Sequence, residues 1–550
     1  MSLALILIPL LAALLAFIPR EDAIRRALLL AAATVHSMLT AALWISPPTP
    51  FHVTKQHGWL EIDSVGLPFL SLLSILFLLA ALYSVGYLQR EKVSPPADLT
   101  TGLPIHNGSE TIFIACMLFF LAAMTTVTLS QHFGLLWVSM EATTLASAPL
   151  IYHHRQRTAL EATWKYLLIC SVGIALALMG NFLLAVSASH GPLVPGPLLN
   201  EAAEKEPNRI EIQMPQRGDQ SVLILAELLA KARATAILNG KVLAESNDHS
   251  AHELPTPRPT RGLDLDWLKV AVLFFVVGYG TKMGLAPMHT ALPDADSEAP
   301  SPVAVLLSGA LLNCAFLGIL RTHQVCVAAG EAEYSCRLLI GFGLASMAVA
   351  AIFVVGQTDF RRLLAYSSVE HMGIAALGVG LGGSGVYAAG FHCINHSLTK
   401  GALFLLAGNI VAAYGTKRSA EVRGMLRTLP MTGLLWLAGL LAITGAPPFG
   451  VFLSEFCVFQ ACVEQQRYFT AALFLALLLV IFIGVGRSGL AMAHGRAGDL
   501  RGLAEPREPW WAIVPPALLC AAALSLGLYM PPPVHEALRN FALALEGKTP

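Results

Sequence analysis

The chain has 550 residues, of which 55% are hydrophobic and 13% are charged, and its mean hydropathy is +0.64. Soluble domains carry about a quarter charged residues, so this composition excludes an ordinary water-soluble protein. Basic and acidic residues both number 35, and this balance indicates no nucleic-acid partner. The nine cysteines are scattered singly, without the paired spacing of zinc or iron–sulfur sites. The composition therefore predicts a membrane protein without a cofactor.

Apolar runs of about 20 residues recur along the whole chain, and each can cross a ~30 Å hydrocarbon core as a helix. Helices must fill that depth, because no water is present there to satisfy free N–H and C=O groups. The first run lacks a basic region before it and a small-residue cleavage site after it, so we expect a retained span. The fold class is therefore all-α, a polytopic membrane protein of about fourteen spanning helices. Their predicted limits are 1–19, 27–46, 64–88, 111–129, 131–151, 159–188, 266–286, 301–321, 335–356, 363–383, 385–413, 430–460, 468–493 and 509–530.

The short loops alternate in basic charge along the chain. One side collects most of the arginines and lysines, including Arg361 and Arg362, whereas the other side offers few, Arg321 among them. Basic short loops stay in the cytoplasm. The pattern therefore predicts a multi-pass protein of the cell inner (cytoplasmic) membrane with both termini outside the cytoplasm.

Residues 189–265 interrupt the apolar pattern with a polar, proline-rich insertion. Within it, residues 221–238 have a helical pattern, and Glu227 lies four residues before Lys231, which is a favourable helical pair. A membrane-spanning interpretation would bury these charges and invert every later loop. We therefore predict an amphipathic surface helix in an extracytoplasmic insertion.

Ionisable residues inside the apolar runs are the main functional signal, because a charge at bilayer depth costs several kcal/mol unless it is paired or hydrated. His392, His396 and Lys400 follow one another at intervals of four, which predicts one shared helix face. The candidate proton-translocating residues are Glu141, Lys165, Lys282, Glu370, His371, His396, Lys400 and Glu455.

Each of these residues also has a simpler interpretation, as a satisfied structural polar group or as a side chain that reaches the membrane interface. Lys165, close to the cytoplasmic end of its run, fits that interpretation as well as it fits transport. His392 is equally a core histidine or a relay member. A metal held by the histidines is disfavoured by the neighbouring lysine, and we expect no metal-binding, catalytic or cofactor-binding residues.

Two predicted spans are interrupted. Gly280 and Gly284 flank Lys282 in the seventh, and residues 445–450 (GAPPFG) precede Glu455 in the twelfth. Proline removes a backbone hydrogen bond and glycine weakens a helix, so each span should be broken near the middle of the membrane. Paired interrupted spans of this kind indicate a transport site in carriers built from repeats.

The order glutamate, lysine, charged residue at a broken helix occurs twice, in Glu141, Lys165, Lys282 and in Glu370, Lys400, Glu455. The first two corresponding pairs are 229 and 235 positions apart and the third is 173 apart, a shortfall close to the length of the insertion. A five-helix repeat accounts for this spacing, although so few markers also allow coincidence. The predicted domains are a three-helix segment at 1–110, a first repeat at 111–322 that contains the insertion, a second repeat at 335–493, and a last helix and tail at 494–550.

Five stretches together resemble the antiporter-like subunits of respiratory complex I, of membrane-bound NiFe hydrogenases and of Mrp-type sodium/proton antiporters. They are LWVSMEATTLASAP, GTKMGLAPMHTALPDADSEAPSPVAVLLSGALL, QTDFRRLLAYSSVEHMG, INHSLTKGALFLLAGNI and TGAPPFGVFLSEF. The similarity covers nearly the whole chain apart from the insertion. It implies two inverted five-helix repeats, at spans 4–8 and 9–13, each of which supplies one half-channel.

The resemblance also implies roles for single residues. Glu141 matches the fifth-span glutamate and Lys282 the lysine of the broken seventh span. His396 and Lys400 match the polar positions of the eleventh span, and Glu455 matches the charged residue of the twelfth.

The chain departs from the family pattern at two central positions. Complex I relatives often have a lysine in the eighth span, where this chain has Asn313, whose amide cannot hold a proton. The usual LPDAH motif reads LPDAD, with Asp296 in place of histidine. Together with Glu370 in SSVEHMG, Asn313 favours the hydrogenase and formate hydrogenlyase branch.

These residues predict a proton relay gated by ion pairs. We expect Glu141 to pair with Lys282, and a proton released from Lys282 to cross through histidines and water to Lys400 and to leave by Glu455. No residue set resembles a redox centre, so the predicted partners are other membrane and peripheral subunits of a redox-driven oxidoreductase complex, within a lipid bilayer. The alternatives are an Mrp-type Na⁺/H⁺ antiporter subunit, a membrane subunit of an energy-coupled inorganic-carbon uptake system, and a scaffold that transports nothing.

Overall fold

The structure is a computed structural model that describes residues 1–45, 58–93, 106–194, 223–239, 260–495 and 508–548. Within these residues the regular structure is almost entirely helical, which confirms the all-α prediction. The exception is a pair of two-residue strands, β1 (Leu193–Val194) and β2 (Thr260–Arg261), which are antiparallel with Leu193 opposite Arg261.

The helices up to the second strand are α1 (Ser2–Leu15), α2 (Asp22–Ile45), α3 (Gly66–Val93), α4 (Glu110–Leu129), α5 (Phe133–Ile151), α6 (Arg157–His190) and α7 (Leu225–Leu238). After it come α8 (Leu265–Met283), α9 (Ala291–Glu298), α10 (Ser301–Leu306), a π-helical turn (Leu307–Leu311), α11 (Leu312–Ala328), α12 (Ala332–Val354), α13 (Phe360–Leu381) and α14 (Ser384–Tyr414). The remaining helices are α15 (Met425–Thr428), α16 (Pro430–Ile443), α17 (Gly450–Glu464), α18 (Tyr468–Ala493), α19 (Trp510–Leu528) and α20 (Pro532–Leu545).

Ten of the described helices are long and apolar enough to cross a membrane. They are α2 to α6, the continuous helix Ser301–Ala328, α12, α14, α18 and α19. Each of the fourteen predicted ranges overlaps a helix, and the ranges outside these ten fall on α1 and α16, which are apolar but short, and on α8 and α13. The helices α8 and α13 carry the buried ionisable residues Lys282 and Glu370, and these residues lower the mean hydropathy of the two helices.

Side chains fix where three of the inner helices begin. The His132 ring accepts hydrogen bonds from the main-chain N–H groups of residues 134 and 135 at the start of α5. Asp264 does the same for α8, and Asp359 for α13. Each cap satisfies N–H groups that have no partner within the helix itself.

Both predicted interruptions are present. Helix α8 ends at Met283 because Gly284 takes a left-handed conformation, with φ of +83°, and helical structure resumes only at Ala291. Helix α16 ends at Ile443 and α17 begins at Gly450. At each interruption, backbone N–H and C=O groups within the predicted span therefore have no hydrogen-bond partner in a regular helix.

The insertion contributes one described helix, α7, at the place where a helix was predicted. The main chain just before α7 is bonded to the α4–α5 junction, where the Leu225 N–H donates to the Gln131 carbonyl at 2.8 Å. Leu228 and Ala232 are buried, and α7 packs against α11. One face of α7 is thus packed against the rest of the chain more closely than we expect for a simple surface helix. The remainder of the predicted insertion lies outside the described residues.

A buried ion pair joins the N-terminal segment to the centre of the molecule. The Arg321 guanidinium donates to both carboxylate oxygens of Asp63, at 2.5 and 2.7 Å, and Arg321 is only 1% exposed. The assignment of Arg321 to a loop was wrong, because this residue lies inside α11. Its charge is tolerated there because the paired carboxylate neutralises it.

We expect Arg321→Met to lower the midpoint of thermal unfolding in detergent, because the substitution leaves the Asp63 carboxylate without its partner. Breaking a buried pair in this way costs about 3–5 kcal/mol. The control is Arg337→Met, which removes an exposed i,i+4 pair with Glu333 on α12. Such surface pairs contribute little, so equal midpoints for the two variants would contradict the structural role of Arg321.

Candidate functional site

Helix α5 presents two faces with different environments around Glu141. Its outward face carries Val138 and Leu145, which are 53% and 64% exposed, and Glu141 lies between them and is half-buried. Its inward face carries Met140 and Thr143, which are fully buried. Successive residues of a helix point about 100° apart, so neighbours in sequence have opposite surroundings here.

The Lys282 ammonium reaches the inward face of α5. It donates to the Met140 carbonyl at 2.7 Å and to the Thr143 hydroxyl at 2.8 Å. Lys282 is also in the last turn of α8, where the helix dipole favours a cation. These neutral oxygens replace the water that the ammonium loses on burial.

The expected direct ion pair between Glu141 and Lys282 is not formed. The Glu141 carboxylate instead accepts hydrogen bonds from Thr144 at 3.3 Å and from Ser171 at 3.4 Å. The physical reason is the helical periodicity of α5, which turns Glu141 outward while Lys282 approaches from inside. The two charges still interact electrostatically, through one layer of helix.

Lys165 lies apart from the buried residues. Its side chain is 48% exposed and contacts Glu161 at 2.6 Å and Asp294 at 3.3 Å, and Asp294 also binds Arg362 at 2.7 Å. Lys165 therefore belongs to a surface network of charges, as the simpler interpretation of this residue anticipated.

A small cavity of about 10 Å³ lies beside Lys282. Its lining includes Asp296 of α9, Tyr166 and Cys170 of α6, and residues 307 and 311 at the two ends of the π-helical turn. A cavity of this size accommodates about one water molecule when polar groups line it. Single π-helical turns are frequent at functional sites, and this one borders a cavity that a lysine and a carboxylate both line.

Lys400 is held in the same way as Lys282. It is fully buried in the middle of α14, and its ammonium donates to the Leu364 carbonyl and to the Ser367 hydroxyl of α13. In both cases the acceptors are a carbonyl oxygen and a hydroxyl three residues later on one helix, and we call this pair of acceptors the oxygen cradle. Each hydroxyl also donates back to its carbonyl, Thr143 at 2.7 Å and Ser367 at 3.2 Å.

Three histidines form a buried group next to Lys400. His371 Nδ1 lies 3.0 Å from His392 Nε2, and His392 Nδ1 lies 2.9 Å from the Ser454 hydroxyl. The His396 ring packs on His371 with centroids 5.1 Å apart, and neither of its nitrogens has a hydrogen-bond partner among the described residues. His392, His396 and Lys400 do share one face of α14, as the spacing predicted.

The break between α16 and α17 supplies polar contacts to this group. The Ile443 carbonyl, freed at the end of α16, lies 3.1 Å from His371 Nε2. Gly445, with φ of +65°, leaves room for the Glu455 carboxylate, because a Cβ at Gly445 would overlap it. Glu455 is 7% exposed and the one carboxylate with which it interacts electrostatically is Glu370.

The charged groups of the interior form two electrostatically linked sets, which meet at the cavity. Lys282 interacts with Glu141, Lys400 interacts with both Glu370 and Asp296, and Glu370 interacts with Glu455. The cavity joins Lys282 to Asp296. The order is therefore Glu141, Lys282, Asp296, Lys400, Glu370, Glu455.

His371, His392 and Glu455 are also of the types that bind transition metals, and their ligand atoms lie within 4.8 Å of one another. The two facing imidazole nitrogens already share a hydrogen bond at 3.0 Å, and Lys400 acts electrostatically on His371. A nearby ammonium opposes a second cation, so this geometry suits a proton better than a metal ion.

Comparison with known proteins matches residues 261–480 to the family described as "NADH:quinone oxidoreductase/Mrp antiporter, TM". A hydrogenase-4 component F homolog of Methylacidiphilum infernorum is 32% identical over 491 residues, which are 88% of each chain. The chain belongs to this family of antiporter-like membrane subunits.

Solved structures share the fold at lower sequence identity. A chain of the archaeal membrane-bound sulfane sulfur reductase gives a TM-score of 0.76 at 19% identity, covering 99% of this chain and 97% of that one. A chain of the Mrp complex of Dietzia sp. DQ12-45-1b gives 0.75 at 17% identity, with the same coverage. The antiporter-like fold thus extends over almost the entire chain.

Several groups of this antiporter-like subunit were not identified from its sequence. The cradle oxygens of Thr143 and Ser367 carry no signal, because hydroxyl residues are common in membrane helices. The pairing of His392 with His371 joins the consecutive helices α13 and α14, and the sequence does not give the rotation that brings these two faces together. Asp296 had one signal, its departure from the family motif.

We expect Gly445→Ala to lower the thermal midpoint more than Gly415→Ala does. The two glycines have nearly equal φ, +65° and +64°, so both substitutions incur the same left-handed strain of about 1–2 kcal/mol. A Cβ meets nothing within 4 Å at Gly415, whereas at Gly445 it overlaps the Glu455 carboxylate. Shortening that side chain with Glu455→Asp should restore part of the loss in Gly445→Ala, and equal midpoints for both alanine variants would show that Glu455 lies elsewhere.

Proposed function

We propose that this antiporter-like subunit translocates protons across the membrane through its buried series of charged residues. The observation that carries the proposal is the matched pair of oxygen cradles, which hold Lys282 and Lys400 on neutral oxygens deep in the interior. Buried structural lysines are normally paired with a carboxylate. Among the described residues, neither of these lysines has a carboxylate within salt-bridge distance.

A cradle of this kind suits both protonation states of a lysine. The carbonyl oxygen accepts a hydrogen bond from the ammonium, and the hydroxyl can either accept from the ammonium or donate to the neutral amine. Loss of the proton therefore breaks no ion pair and leaves no buried charge without a partner. Lys282 and Lys400 are the groups that we assign to hold and release the proton.

Histidines and the two acidic ends complete the proposed route. The chain His371–His392–Ser454 offers linked hydrogen bonds of about 3 Å near Glu455, and His396 supplies two ring nitrogens that need water as partners. Glu141 and Glu455 stand at the two ends, with Glu370 between Lys400 and Glu455. The role of Lys165 in transport stays a prediction, and its surface network would place it at a mouth of the route.

The proposal includes a membrane arrangement. Fourteen crossings, with inverted repeats at 111–322 and 335–493 between the segments 1–110 and 494–550, agree with the order of the helices. Both termini outside the cytoplasm, in the inner membrane, follow from the distribution of basic loops. In this arrangement the two interrupted helices occupy corresponding positions in the two repeats.

The driving force must come from other subunits. The described side chains include no cluster that resembles a redox centre, and the family model describes membrane subunits of a quinone oxidoreductase or an antiporter. We propose a redox module of the complex I-like or membrane-bound hydrogenase type. The similarity to a hydrogenase-4 component F homolog supports this choice.

We expect Lys282→Met to abolish proton translocation in inverted membrane vesicles energised by the electron donor of the assembled complex. Lys400→Met and Glu141→Gln should do the same, because each removes one group of the series. The measurement is quenching of a pH-sensitive dye on addition of the donor, with electron transfer followed in parallel.

The matched control is Lys269→Met, on the same helix α8. Lys269 is partly exposed and pairs with Glu331 at 3.2 Å, so its removal should leave translocation unchanged. Undiminished translocation in assembled Lys282→Met complexes would refute the role of the buried lysines.

The second candidate is an Na⁺/H⁺ antiporter subunit, favoured by the structural similarity to the Mrp complex. We expect affinity purification in mild detergent to recover subunits of a redox module, and we expect proton uptake by the vesicles to be independent of Na⁺. Recovery of small membrane subunits alone, together with Na⁺-dependent transport, would establish the antiporter instead.

A further inference from the structure

Asp296 is a buried carboxylate that the structure does not use for packing or for an ion pair. It is 0% exposed, on the short helix α9, and neither carboxylate oxygen forms a hydrogen bond of good geometry among the described residues, although the Ser308 hydroxyl of the π-helical turn lies close to the carboxylate. An unpartnered buried polar group costs free energy and requires an explanation. Its neighbour Asp294, on the same helix, has an ordinary surface role with Lys165 and Arg362.

The nearby arginine does not explain the carboxylate. Arg361 donates to the main-chain carbonyls of Asp296 and Ala299, at 3.1 and 2.5 Å. These bonds fix the backbone of α9 and would persist with another side chain at position 296. The main chain therefore holds Asp296 in place, and Arg361 acts on its carboxylate through charge rather than through a direct hydrogen bond.

Asp296 is near both cradled lysines. It lines the same cavity as Lys282, and its carboxylate interacts electrostatically with Lys400. The cavity is bordered by the π-helical turn, whose irregular hydrogen bonding opens the helix Ser301–Ala328 at this level. The cavity, which Lys282 and Asp296 both line, has room for about one water molecule.

The same region lacks a lysine on the central helix. Asn313 stands there, and its amide donates to the Gly309 carbonyl and to the Ser397 hydroxyl, both at 2.8 Å. Ser397 lies one helical turn before Lys400 on α14. Asn313 therefore positions groups near Lys400, but an amide cannot carry a proton at any physiological pH.

We infer that Asp296 is the proton carrier between Lys282 and Lys400, in the place that Asn313 leaves without an ionisable group. This inference rests on the proposed function. In the first step the Lys282 ammonium gives a proton, through the cavity, to the Asp296 carboxylate, which leaves a neutral amine and a neutral carboxylic acid. In the second step the carboxylic acid gives that proton to the neutral amine of Lys400, and the carboxylate and an ammonium are restored.

This assignment also accounts for the lack of strong hydrogen bonds to the carboxylate oxygens. A carboxylate fixed by strong hydrogen bonds would keep its charge and would hold a proton poorly. The charges of Lys400 and Arg361 both stabilise the Asp296 anion, so the carboxylate accepts a proton most readily while Lys400 is neutral. The proton can then move along the series without leaving two like charges together.

The test compares variants of Asp296 within the assembled complex, in the vesicle assay. Asp296→Asn should reduce proton translocation to background, while Asp296→Glu, which keeps a carboxylate, should retain it. The matched control is Glu298→Gln, two residues away on the same helix, where the carboxylate pairs with Lys417 at 2.7 Å, and it should leave translocation unchanged. Adding Asn313→Lys to Asp296→Asn should recover translocation, because it returns an ionisable group to the centre.

Stability separates a carrier from a structural residue. Replacing an unpartnered buried charge with a neutral amide should leave the thermal midpoint unchanged or raise it, and the complex should assemble normally. A lower midpoint or failed assembly in Asp296→Asn would make the carboxylate structural and overturn the inference. Full translocation in that variant, with Lys282→Met inactive, would overturn it while the proposed function stands. Full translocation in both variants would instead refute the proposed function.

Discussion

The cost of burying charge among apolar helices is the constraint on which the rest of this structure depends. An ammonium in the interior needs oxygen atoms to replace its water, and the chain supplies them twice with the same local device. Lys282 takes a carbonyl and a hydroxyl from α5, and Lys400 takes a carbonyl and a hydroxyl from α13. Because these acceptors are neutral, either lysine can lose its proton without breaking a salt bridge. Arg321 shows the contrast, since its bidentate pair with Asp63 holds a permanent charge and joins helices without any place in the series.

Backbone outside regular helices provides many of the other polar contacts of the buried ionisable residues. The end of α16 gives the Ile443 carbonyl to His371, and the glycine at 445 makes room for the Glu455 carboxylate. The end of α8 places Lys282 where the helix dipole favours a cation, and the π-helical turn borders the cavity next to Asp296. In hydrocarbon such breaks are tolerated only where they are enclosed by protein or line a wet cavity. The helix breaks and the buried charges therefore lie near one another, because both need a polar environment that is enclosed by protein.

Much of this arrangement was predictable, because membrane helices and their interruptions follow from local composition. The apolar runs, the breaks at Gly284 and at residues 445–450, and the shared face of His392, His396 and Lys400 all depend on residues close together in the chain. The pairings across helices were not predictable in the same way. Glu141 and Lys282 were expected to touch, yet the periodicity of α5 turns Glu141 outward and offers the Met140 carbonyl to the lysine instead. The repeat spacing matched Lys400 with Lys165, whereas the oxygen cradle makes Lys282 its local counterpart, because sequence order does not report depth within the bundle.

The two ends of the series differ in a way that bears on how it is driven. Glu455, at one end, is buried and interacts electrostatically with Glu370, so its charge responds to groups within the chain. Glu141 is half-buried, on an outward face bounded by the exposed Val138 and Leu145. A charge placed against that face from outside acts on Glu141, and through Glu141 it acts on the protonation of Lys282. In the proposed relay, a lysine in a neutral cradle has no fixed counter-charge of its own, so a change of charge at Glu141 would shift its proton towards Asp296. The half-exposed glutamate is thus the point at which we propose that a neighbouring subunit acts on the series.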